Sequence, residues 1–191
     1  LKIYPKPNDY FHCFFSLKST KDAIKLFKEL RLLFHYNIES AEIIPNIAFD
    51  MTIKHGFLNE HFFTDPCDTY LLCKFALFEE KQNFENIFIN KLEKISNKFE
   101  NLIIPSSIQQ EKNFWKFRDN LVESYKIEGK YITNDISIPL DHLDKFISEA
   151  SKKINQLIPG TRIYSFGHLG DGNIHFNMIE PLNYSKNFND Y

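Results

Sequence analysis

Two histidines and an asparagine near the end of the chain have the types and spacing that could support chemistry. His168, His175 and Asn177 lie in two short runs rich in β-branched and aromatic residues, and an Asp-Gly pair at 171–172 separates the runs. An Asp-Gly pair is typical of a two-residue type I′ hairpin turn, because both central residues need a positive φ. With the turn at that point, His168 faces His175 and Phe166 faces Asn177, so the three polar side chains project from one face.

Two imidazoles on one face are suitable ligands for a divalent metal such as zinc. Zinc sites in proteins usually contain three or four ligands, however, and the sequence near the hairpin offers no obvious third. A pair of opposed histidines is often only packed or solvated, and a bulge or a longer loop would change the register. The spacing alone therefore leaves open both a metal site and a packed pair.

Arg118 is the second candidate, because it lies on the apolar side of a helix predicted from Ser107 to Lys126. At about 100° per residue, it falls in the middle of an arc of apolar side chains. These are Phe114, Phe117, Leu121, Val122 and Tyr125. A guanidinium in that position must bind an anion or extend to solvent. Its planar fork suits a substrate carboxylate, and the alternative is an internal salt bridge to Asp135 or another acid.

Composition indicates one ordinary globular domain. The 191 residues are 43% hydrophobic and 25% charged, which is usual for a chain with a hydrophobic core. The net charge is −2 and there is no basic block, so nucleic acid is not expected as a partner. No apolar run approaches the roughly 18 residues of a transmembrane segment. Three cysteines without a CxxC pair, and no signal peptide, favour reduced thiols and a cytoplasmic location.

The order of predicted elements indicates an α+β fold. The second half reads strand, helix, strand, strand, which is most of a βαββαβ unit, and the first half has a similar order with an insertion. Strands are predicted at 10–17, 40–44, 70–78, 102–104 and 131–138, helices at 23–33, 46–54, 84–99, 107–126 and 143–157, and the hairpin at 162–168 and 173–179. We therefore predict two ferredoxin-like halves, the second one truncated, that form an antiparallel sheet with helices packed on one face.

Three stretches carry a resemblance to a known family. Residues 167–177 read GHLGDGNIHFN and resemble the GHLGDGN-[L/I]-H-x-N signature of the C-terminal domain of FAD-linked oxidases. That family contains D-lactate dehydrogenases, D-2-hydroxyglutarate dehydrogenases and the FAD subunit of glycolate oxidase. Residues 114–119, FWKFRD, resemble its W-x-[LF]-R-[ED] helix, and residues 134–140, NDISIPL, resemble its D-[IV]-S-[IVL]-P strand. The likeness is weak before residue 110 and strong after it.

The resemblance implies that residues 1–191 are the substrate-binding (cap) domain of an FAD-dependent D-2-hydroxy-acid dehydrogenase. In the family pattern, His168 and His175 match metal-binding histidines. Arg118 matches the arginine that contacts the substrate carboxylate, and Asn177 matches a substrate-contacting asparagine. The implied reaction uses a divalent metal, with zinc expected, that binds the small 2-hydroxy acid and lowers the pKa of its hydroxyl. A histidine base then removes the hydroxyl proton, and a hydride passes from C2 to the flavin N5. A separate electron acceptor is implied, which could hold a cytoplasmic protein at the periphery of the inner membrane.

Several features depart from the family pattern. The Ser-Ala-Glu-His-Gly motif that supplies the third metal ligand and the base is absent, as is the FAD-binding domain that would be this domain's partner. The chain begins at Leu1 without a methionine and ends in a polar tail at 183–191, so we expect a piece of a longer protein, inactive alone. Thr133 replaces a lysine of many relatives and Val122 a threonine of some, which favours D-lactate or glycolate over substrates with a distal carboxylate.

Two rival hypotheses remain open at this point. A zinc hydrolase would use His168 and His175 with an unidentified carboxylate, and would depend on metal without any redox activity. A non-catalytic ferredoxin-like binding module would use Arg118 and the histidines only structurally. Replacing His168 with alanine separates these hypotheses, because a binding module keeps its partner affinity and a dehydrogenase loses turnover.

Overall fold

The computed structural model describes residues 5–184 and Phe188, which contain five α-helices, a short 3-10 helix and eight strands. The helices are α1 (Thr20–Phe34), α2 (Asn46–Lys54), α3 (Lys81–Leu92), α4 (Ile108–Lys126) and α5 (Leu140–Leu157), and the 3-10 helix spans Glu93–Lys98. The strands are β1 (Asp9–Leu17), β2 (Ile38–Pro45), β3 (Thr69–Leu77), β4 (Asn101–Ile103), β5 (Tyr131–Ile132), β6 (Asp135–Ser137), β7 (Arg162–His168) and β8 (Asn173–Ile179). None of the described helices is both long and apolar enough to cross a membrane. The predicted polar tail at 183–191 lies outside the described residues apart from positions 183, 184 and 188.

Serine caps begin α1 and α4. The Ser19 hydroxyl accepts a hydrogen bond from the Asp22 amide at 3.2 Å, and Ser107 accepts one from the Gln110 amide at 3.2 Å. Each cap satisfies one amide that the first helical turn leaves unpaired. The apolar stripe of α4 then buries Phe117, whose truncation to alanine should cost about 3–5 kcal/mol. The helix that carries Arg118 is therefore fixed at its start and along its length.

The strands form one antiparallel sheet in the order β4-β1-β3-β2-β7-β8-β5, and β6 also pairs with β8. β3 lies between β1 and β2, which α1 connects. β8 likewise lies between β7 and β6, which α5 connects, so each half contains a split βαβ arrangement. The two halves join where β2 pairs with β7. The predicted α+β class and antiparallel sheet are confirmed.

The prediction that the helices pack on one face of the sheet is wrong, because helices cover both faces. One core lies beneath α1, α3 and α5 and contains Phe11 and Phe15 of β1. A second core lies beneath α2 and α4 and contains Phe14 of the same strand, together with Phe49 and Phe117. β1 and β3 are consequently buried at almost every position, as strands covered on both faces must be.

The single strand predicted at 131–138 is divided into two short strands. β5 pairs with Met178 and Ile179 of β8, and β6 pairs with residues 173–175 of β8. Between the two, the Asn134 carbonyl accepts a hydrogen bond from the Phe176 amide at 2.8 Å. This interrupted edge places Asp135 directly opposite His175.

Candidate functional site

The candidate site lies where the two halves of the sheet meet. Glu42 of β2 pairs with His168 of β7, and the Leu169 amide donates a hydrogen bond to the Ala41 carbonyl at 2.7 Å. Ala41 and Ile43 point into the core beneath α1. Because successive side chains of a strand alternate between faces, Glu42 points to the other face, toward α4. The strand junction thus joins a carboxylate of the first half to the histidine motif of the second half.

The predicted hairpin register is wrong by two residues. His168 pairs with Asn173, Phe166 with His175 and Tyr164 with Asn177, around a four-residue loop at 169–172 instead of a two-residue turn. A shift of two residues keeps each side chain on its original face. The rings of His168 and His175 therefore still meet, diagonally, with centroids 5.8 Å apart.

The loop is longer than predicted because its residues are bound to the rest of the fold. Leu169 is fully buried in the core beneath α1. The Gly172 carbonyl accepts a hydrogen bond from the Ile138 amide at 3.0 Å, and a Cβ at Gly172 would lie 2.1 Å from the Ile138 carbonyl oxygen. Gly172 also has a φ of 72°, which glycine adopts at little cost. The second glycine of the Gly-Asp-Gly string is thus required by a close backbone approach.

Each histidine is held by a carboxylate through the same ring nitrogen. The Nδ1 atom of His168 lies 2.5 Å from Glu42 Oε1, and that of His175 lies 2.5 Å from Asp135 Oδ1. An ionised carboxylate only accepts hydrogen bonds, so Nδ1 donates in both rings, and in the neutral form of each imidazole Nε2 presents a lone pair. Over the residues that the structure describes, neither Nε2 atom makes a hydrogen bond. This arrangement is common for metal-binding histidines, whose second nitrogen usually donates to a carboxylate.

Arg118 forms a buried ion pair with Glu42. Its Nε and Nη2 atoms both donate to Glu42 Oε2 at 3.1 Å, and its guanidinium lies 5.3 Å from the centre of the Phe166 ring. The sequence left open Asp135 or another acid as the internal partner of Arg118. The partner is Glu42 and not Asp135. Glu42 occupies only one edge of the planar fork. The edge formed by Nη1 and Nη2 has no hydrogen-bond partner for Nη1 in the described part of the chain, so Arg118 can bind a second anion there.

The Tyr164 hydroxyl fixes the height of α4 above the sheet. It donates to the Leu121 carbonyl at 3.2 Å and lies 3.0 Å from the Ser124 hydroxyl. Burial raises the pKa of the Tyr164 phenol, so the hydroxyl remains a protonated donor. Because Tyr164 and His168 are on the same strand, this contact also sets the position of Arg118 relative to the histidines.

The two asparagines of β8 contribute unpaired oxygen atoms to the same face. Asn177 is 1% exposed, and its Oδ1 is buried without a hydrogen-bond partner in the described structure. The Oδ1 atom of Asn173 has the same status. Both residues flank His175 on the polar row of β8. Buried acceptors without partners are costly, which is consistent with a ligand that completes them.

The donor set fits a metal only in part. Two imidazole Nε2 atoms suit zinc, which usually takes three or four nitrogen, sulfur or oxygen ligands. Among residues 5–184 and Phe188, no group of three histidine, cysteine, aspartate or glutamate side chains is arranged to hold a metal ion. The two carboxylates nearest the histidines bind Nδ1 atoms and act behind the ligands.

Glu42 was not among the residues predicted from the sequence to lie in the site. It stands 126 positions before His168 in the otherwise apolar run AEII at 41–44. A single carboxylate inside a buried strand is the signal that could have identified it, since buried acids are nearly always paired. Its partner could not be inferred without the pairing of β2 with β7.

The site is an open face and not an enclosed cavity of this chain. Two clefts of about 820 and 630 Å³ open beside the loop at 169–172, on the side of α1. His168 lines the smaller cleft, whereas Arg118 and His175 line neither. The Nε2 lone pairs and the unused arginine edge, and not the volumes of these clefts, define where a ligand can bind.

A comparison with known protein families assigns the chain that carries this polar face to one of them. The sequence profile described as "FAD linked oxidases, C-terminal domain" matches residues 6–188. The chain belongs to this family. The family predicted from the sequence is therefore confirmed. The candidate site accordingly lies in a domain of an FAD-linked oxidoreductase family.

Relatives of the chain are named as D-2-hydroxy-acid dehydrogenases. It is 23% identical over 179 residues to the mitochondrial D-2-hydroxyglutarate dehydrogenase of Arabidopsis thaliana. The aligned region covers 91% of this chain and 31% of that protein. It is 34% identical over 79 residues to the D-2-hydroxyglutarate dehydrogenase of Stutzerimonas stutzeri, which covers 41% and 17%. A putative mitochondrial D-lactate dehydrogenase of Schizosaccharomyces pombe is 22% identical over 188 residues, covering 92% and 35%. The chain thus spans about a third of the length of the relatives that match most of it.

Solved structures share the fold at low identity. p-Cresol methylhydroxylase with substrate bound matches with a TM-score of 0.61 and 11% identity, over 91% of this chain and 39% of that chain. Alkyldihydroxyacetonephosphate synthase matches with a TM-score of 0.55 and 9% identity, over 94% and 38%. These matches support the α+β architecture alone.

Proposed function

We propose that this chain is the substrate-binding domain of an FAD-dependent dehydrogenase that oxidises a D-2-hydroxy acid to the 2-oxo acid. The observation that carries the proposal is the pair of imidazoles, His168 and His175, each with Nδ1 on a carboxylate and Nε2 unused. Arg118 adds an unused guanidinium edge beside them. A 2-hydroxy acid offers a carboxylate and a neighbouring hydroxyl, which are the groups that such a face can bind.

In this proposal Arg118 binds the substrate carboxylate, and Asn177 contacts the substrate from β8. His168 and His175 hold a divalent metal, with zinc favoured by the nitrogen donors, and the remaining ligand comes from outside the described residues. A metal so bound supplies Lewis acidity toward the 2-hydroxyl group. FAD, held mainly by another domain of the protein, supplies the hydride acceptor, and a separate acceptor takes up the electrons. None of the residues of this chain is proposed as the catalytic base.

The open geometry of the site supports the idea of a domain that works against a second one. The unused ligand atoms of His168 and His175 lie on an exposed part of the sheet, where the two side chains are 46% and 28% exposed. Water is poorly compatible with a reactive hydride, so such a face needs a cover. The FAD-binding domain is the proposed cover.

For the substrate, we propose the D-lactate or glycolate type. Val122 lies one helical turn after Arg118 on α4, where the family pattern has a threonine in some relatives, and its apolar side chain offers a second carboxylate no donor. Thr133, between β5 and β6, carries no charge. The names of most relatives given above point instead to D-2-hydroxyglutarate, so the three acids must be compared directly.

The test is anaerobic reduction of the complete protein, purified with its flavin. D-Lactate, glycolate and D-2-hydroxyglutarate are added separately, and the flavin absorbance is followed. Bleaching by D-lactate or glycolate is expected, with little or none by D-2-hydroxyglutarate. Bleaching by D-2-hydroxyglutarate alone would overturn the substrate type and keep the reaction. Absence of flavin, or no bleaching by any of the three, would contradict the proposed function.

A further inference from the structure

We propose that Glu42 is a positioning residue that sets the tautomer of His168 and orients Arg118 with one carboxylate group. The inference rests on the proposed function for its consequence, because the two residues it holds are the proposed metal ligand and the proposed carboxylate-binding residue. Its structural basis is independent of any ligand. Glu42 comes from the first half of the sheet, whereas His168 comes from the second half.

Every strong acceptor position of the Glu42 carboxylate is used. Oε1 accepts from His168 Nδ1 at 2.5 Å and from the Ser40 hydroxyl at 3.1 Å. Oε2 accepts from the Nε and Nη2 atoms of Arg118. The side chain is only 3% exposed, so these partners and not water satisfy the charge. A buried acid with this many protein donors has a single favoured orientation.

This orientation determines which nitrogen of His168 can bind a metal. The carboxylate accepts from Nδ1, which must therefore carry the proton, and the lone pair is left on Nε2. Without an acceptor at Glu42, either nitrogen could carry the proton. Carboxylates behind metal-binding histidines act in this way, and their loss typically lowers metal affinity about 10- to 100-fold.

Glutamine at position 42 should reverse the tautomer. Arg118 donates two hydrogen bonds to Oε2, so the amide oxygen of a glutamine must face Arg118. The amide NH₂ group then faces His168, and Nδ1 becomes an acceptor. The proton moves to Nε2, where it blocks metal coordination. Glu42→Gln is therefore a nearly isosteric change with a directional prediction.

Nitrogen NMR of the histidine-labelled chain in mildly alkaline, metal-free solution tests the tautomer directly. In the parent chain, His168 and His175 are both expected with the proton on Nδ1. In Glu42→Gln, His168 is expected with the proton on Nε2, while His175, which binds Asp135, is unchanged. Glu128→Gln is the matched control, since Glu128 is another buried acid bound to an arginine and a histidine, and it should leave His168 unchanged. A parent His168 protonated on Nε2 would overturn the proposal, as would an unchanged tautomer in Glu42→Gln.

Zinc titration of the same chains tests the consequence, with Zn²⁺ alone as the probe. Glu42→Gln is expected to bind about 10- to 100-fold more weakly than the parent, and Glu128→Gln equally well. Glu42→Asp keeps the acceptor, so it should retain the parent tautomer and lose less affinity than Glu42→Gln. Equal affinities of the parent and Glu42→Gln would refute the role of Glu42 and leave the metal site standing. A parent chain that binds no zinc, with the expected tautomers, would refute the metal site and leave the positioning role standing. If Glu42→Gln does not fold, the parent tautomer and Glu42→Asp still decide between these outcomes.

Discussion

Two buried glutamates of this molecule bind the same kinds of partner, but only one of them lies in the candidate site. Glu42 binds Arg118 and His168 with its side chain 3% exposed. Glu128, with its side chain 1% exposed, binds Arg162, His55 and the more exposed Lys54. Burial of a carboxylate with an arginine and a histidine is therefore not enough to identify a functional site.

The difference lies in what the partners leave unused. All three nitrogen atoms of the Arg162 guanidinium group have protein acceptors: Glu128 Oε2, the Glu128 carbonyl at 2.9 Å and the Glu180 carbonyl at 3.0 Å. Arg118 spends only one edge on Glu42, and His168 stands beside a second imidazole whose ring is 5.8 Å away. The Glu128 cluster is closed by the protein, and it ties α2 and the end of α4 to β7. The Glu42 cluster presents ligand atoms outward, as a binding site must.

The largest expected difference between the clusters is in catalysis. His168→Ala in the complete protein should lower kcat/KM for the 2-hydroxy acid by about 1,000-fold or more, because a metal ligand and its several kcal/mol of charge stabilisation are lost. His55→Ala should leave kcat/KM within about twofold. Steady-state kinetics of both variants, with their flavin content measured, provides the check. Equal losses of kcat/KM in the two variants would show that the Glu42 and Glu128 clusters do not differ in their importance for catalysis.

The loops next to the two histidines offer the second contrast, in stability. Gly172, in the His168 loop, and Gly56, next to His55, have φ values of 72° and 73°. A Cβ at Gly56 meets no atom within 4 Å, whereas one at Gly172 meets the Ile138 carbonyl oxygen at 2.1 Å. Gly56→Ala should therefore cost about 1 kcal/mol for the backbone conformation alone, and Gly172→Ala about 3 kcal/mol or more. Urea denaturation measures both, and similar losses would contradict the close approach.

Gly172 also shows why the hairpin register could not be predicted. The Asp-Gly pair at 171–172 indicates a two-residue turn by local preference, but burial of Leu169 and the hydrogen bond between Gly172 and Ile138 favour a four-residue loop. These are contacts with distant parts of the chain. The face shared by His168 and His175 was predictable, because it depends only on the two-residue period of a strand.

Contacts between distant parts of the chain also limited the prediction of the site and of the layers of the fold. Arg118 was predictable, since a charged residue inside an apolar helical stripe is visible in the sequence. An internal acid partner was only one of the alternatives that the sequence left open for Arg118, and the identity of that acid depended on the pairing of β2 with β7. The strand order of each half followed from the sequence of elements. The second covered face did not, because α2 and α4 were expected on the same side as the other helices.

The two arginines should differ in the quantity that their loss affects. Arg118→Lys removes the planar fork and should raise KM about 10- to 100-fold, the equivalent of a charge-assisted hydrogen bond, with a smaller effect on kcat. Arg162→Lys should leave KM within about twofold and lower the free energy of unfolding by about 1–2 kcal/mol. Kinetics and denaturation of both variants test whether the loss of Arg118 mainly raises KM and the loss of Arg162 mainly lowers the free energy of unfolding. A KM defect in Arg162→Lys would place that cluster in the site.

The smallest expected effect is a pH dependence of stability that belongs to the closed cluster. Burial alone would raise the pKa of Glu128, but hydrogen bonds from Lys54, Arg162 and His55 outweigh it and lower the pKa from 4.5 to about 2. A folded-state pKa below the unfolded value means that ionised Glu128 stabilises the fold above about pH 4.5, and that this contribution is lost as the pH falls toward 2.

We expect the contribution to be about 2 kcal/mol, after allowance for the solvent around the exposed Lys54. Denaturation of the parent chain and of Glu128→Gln between about pH 6 and about pH 3 measures it, since the difference in unfolding free energy should shrink as the pH falls. A difference that stays constant over this range would mean that the cluster acts by packing and not by charge. In that case the contrast between the two clusters would rest only on the guanidinium edge and the imidazole nitrogen that the partners of Glu42 leave unused.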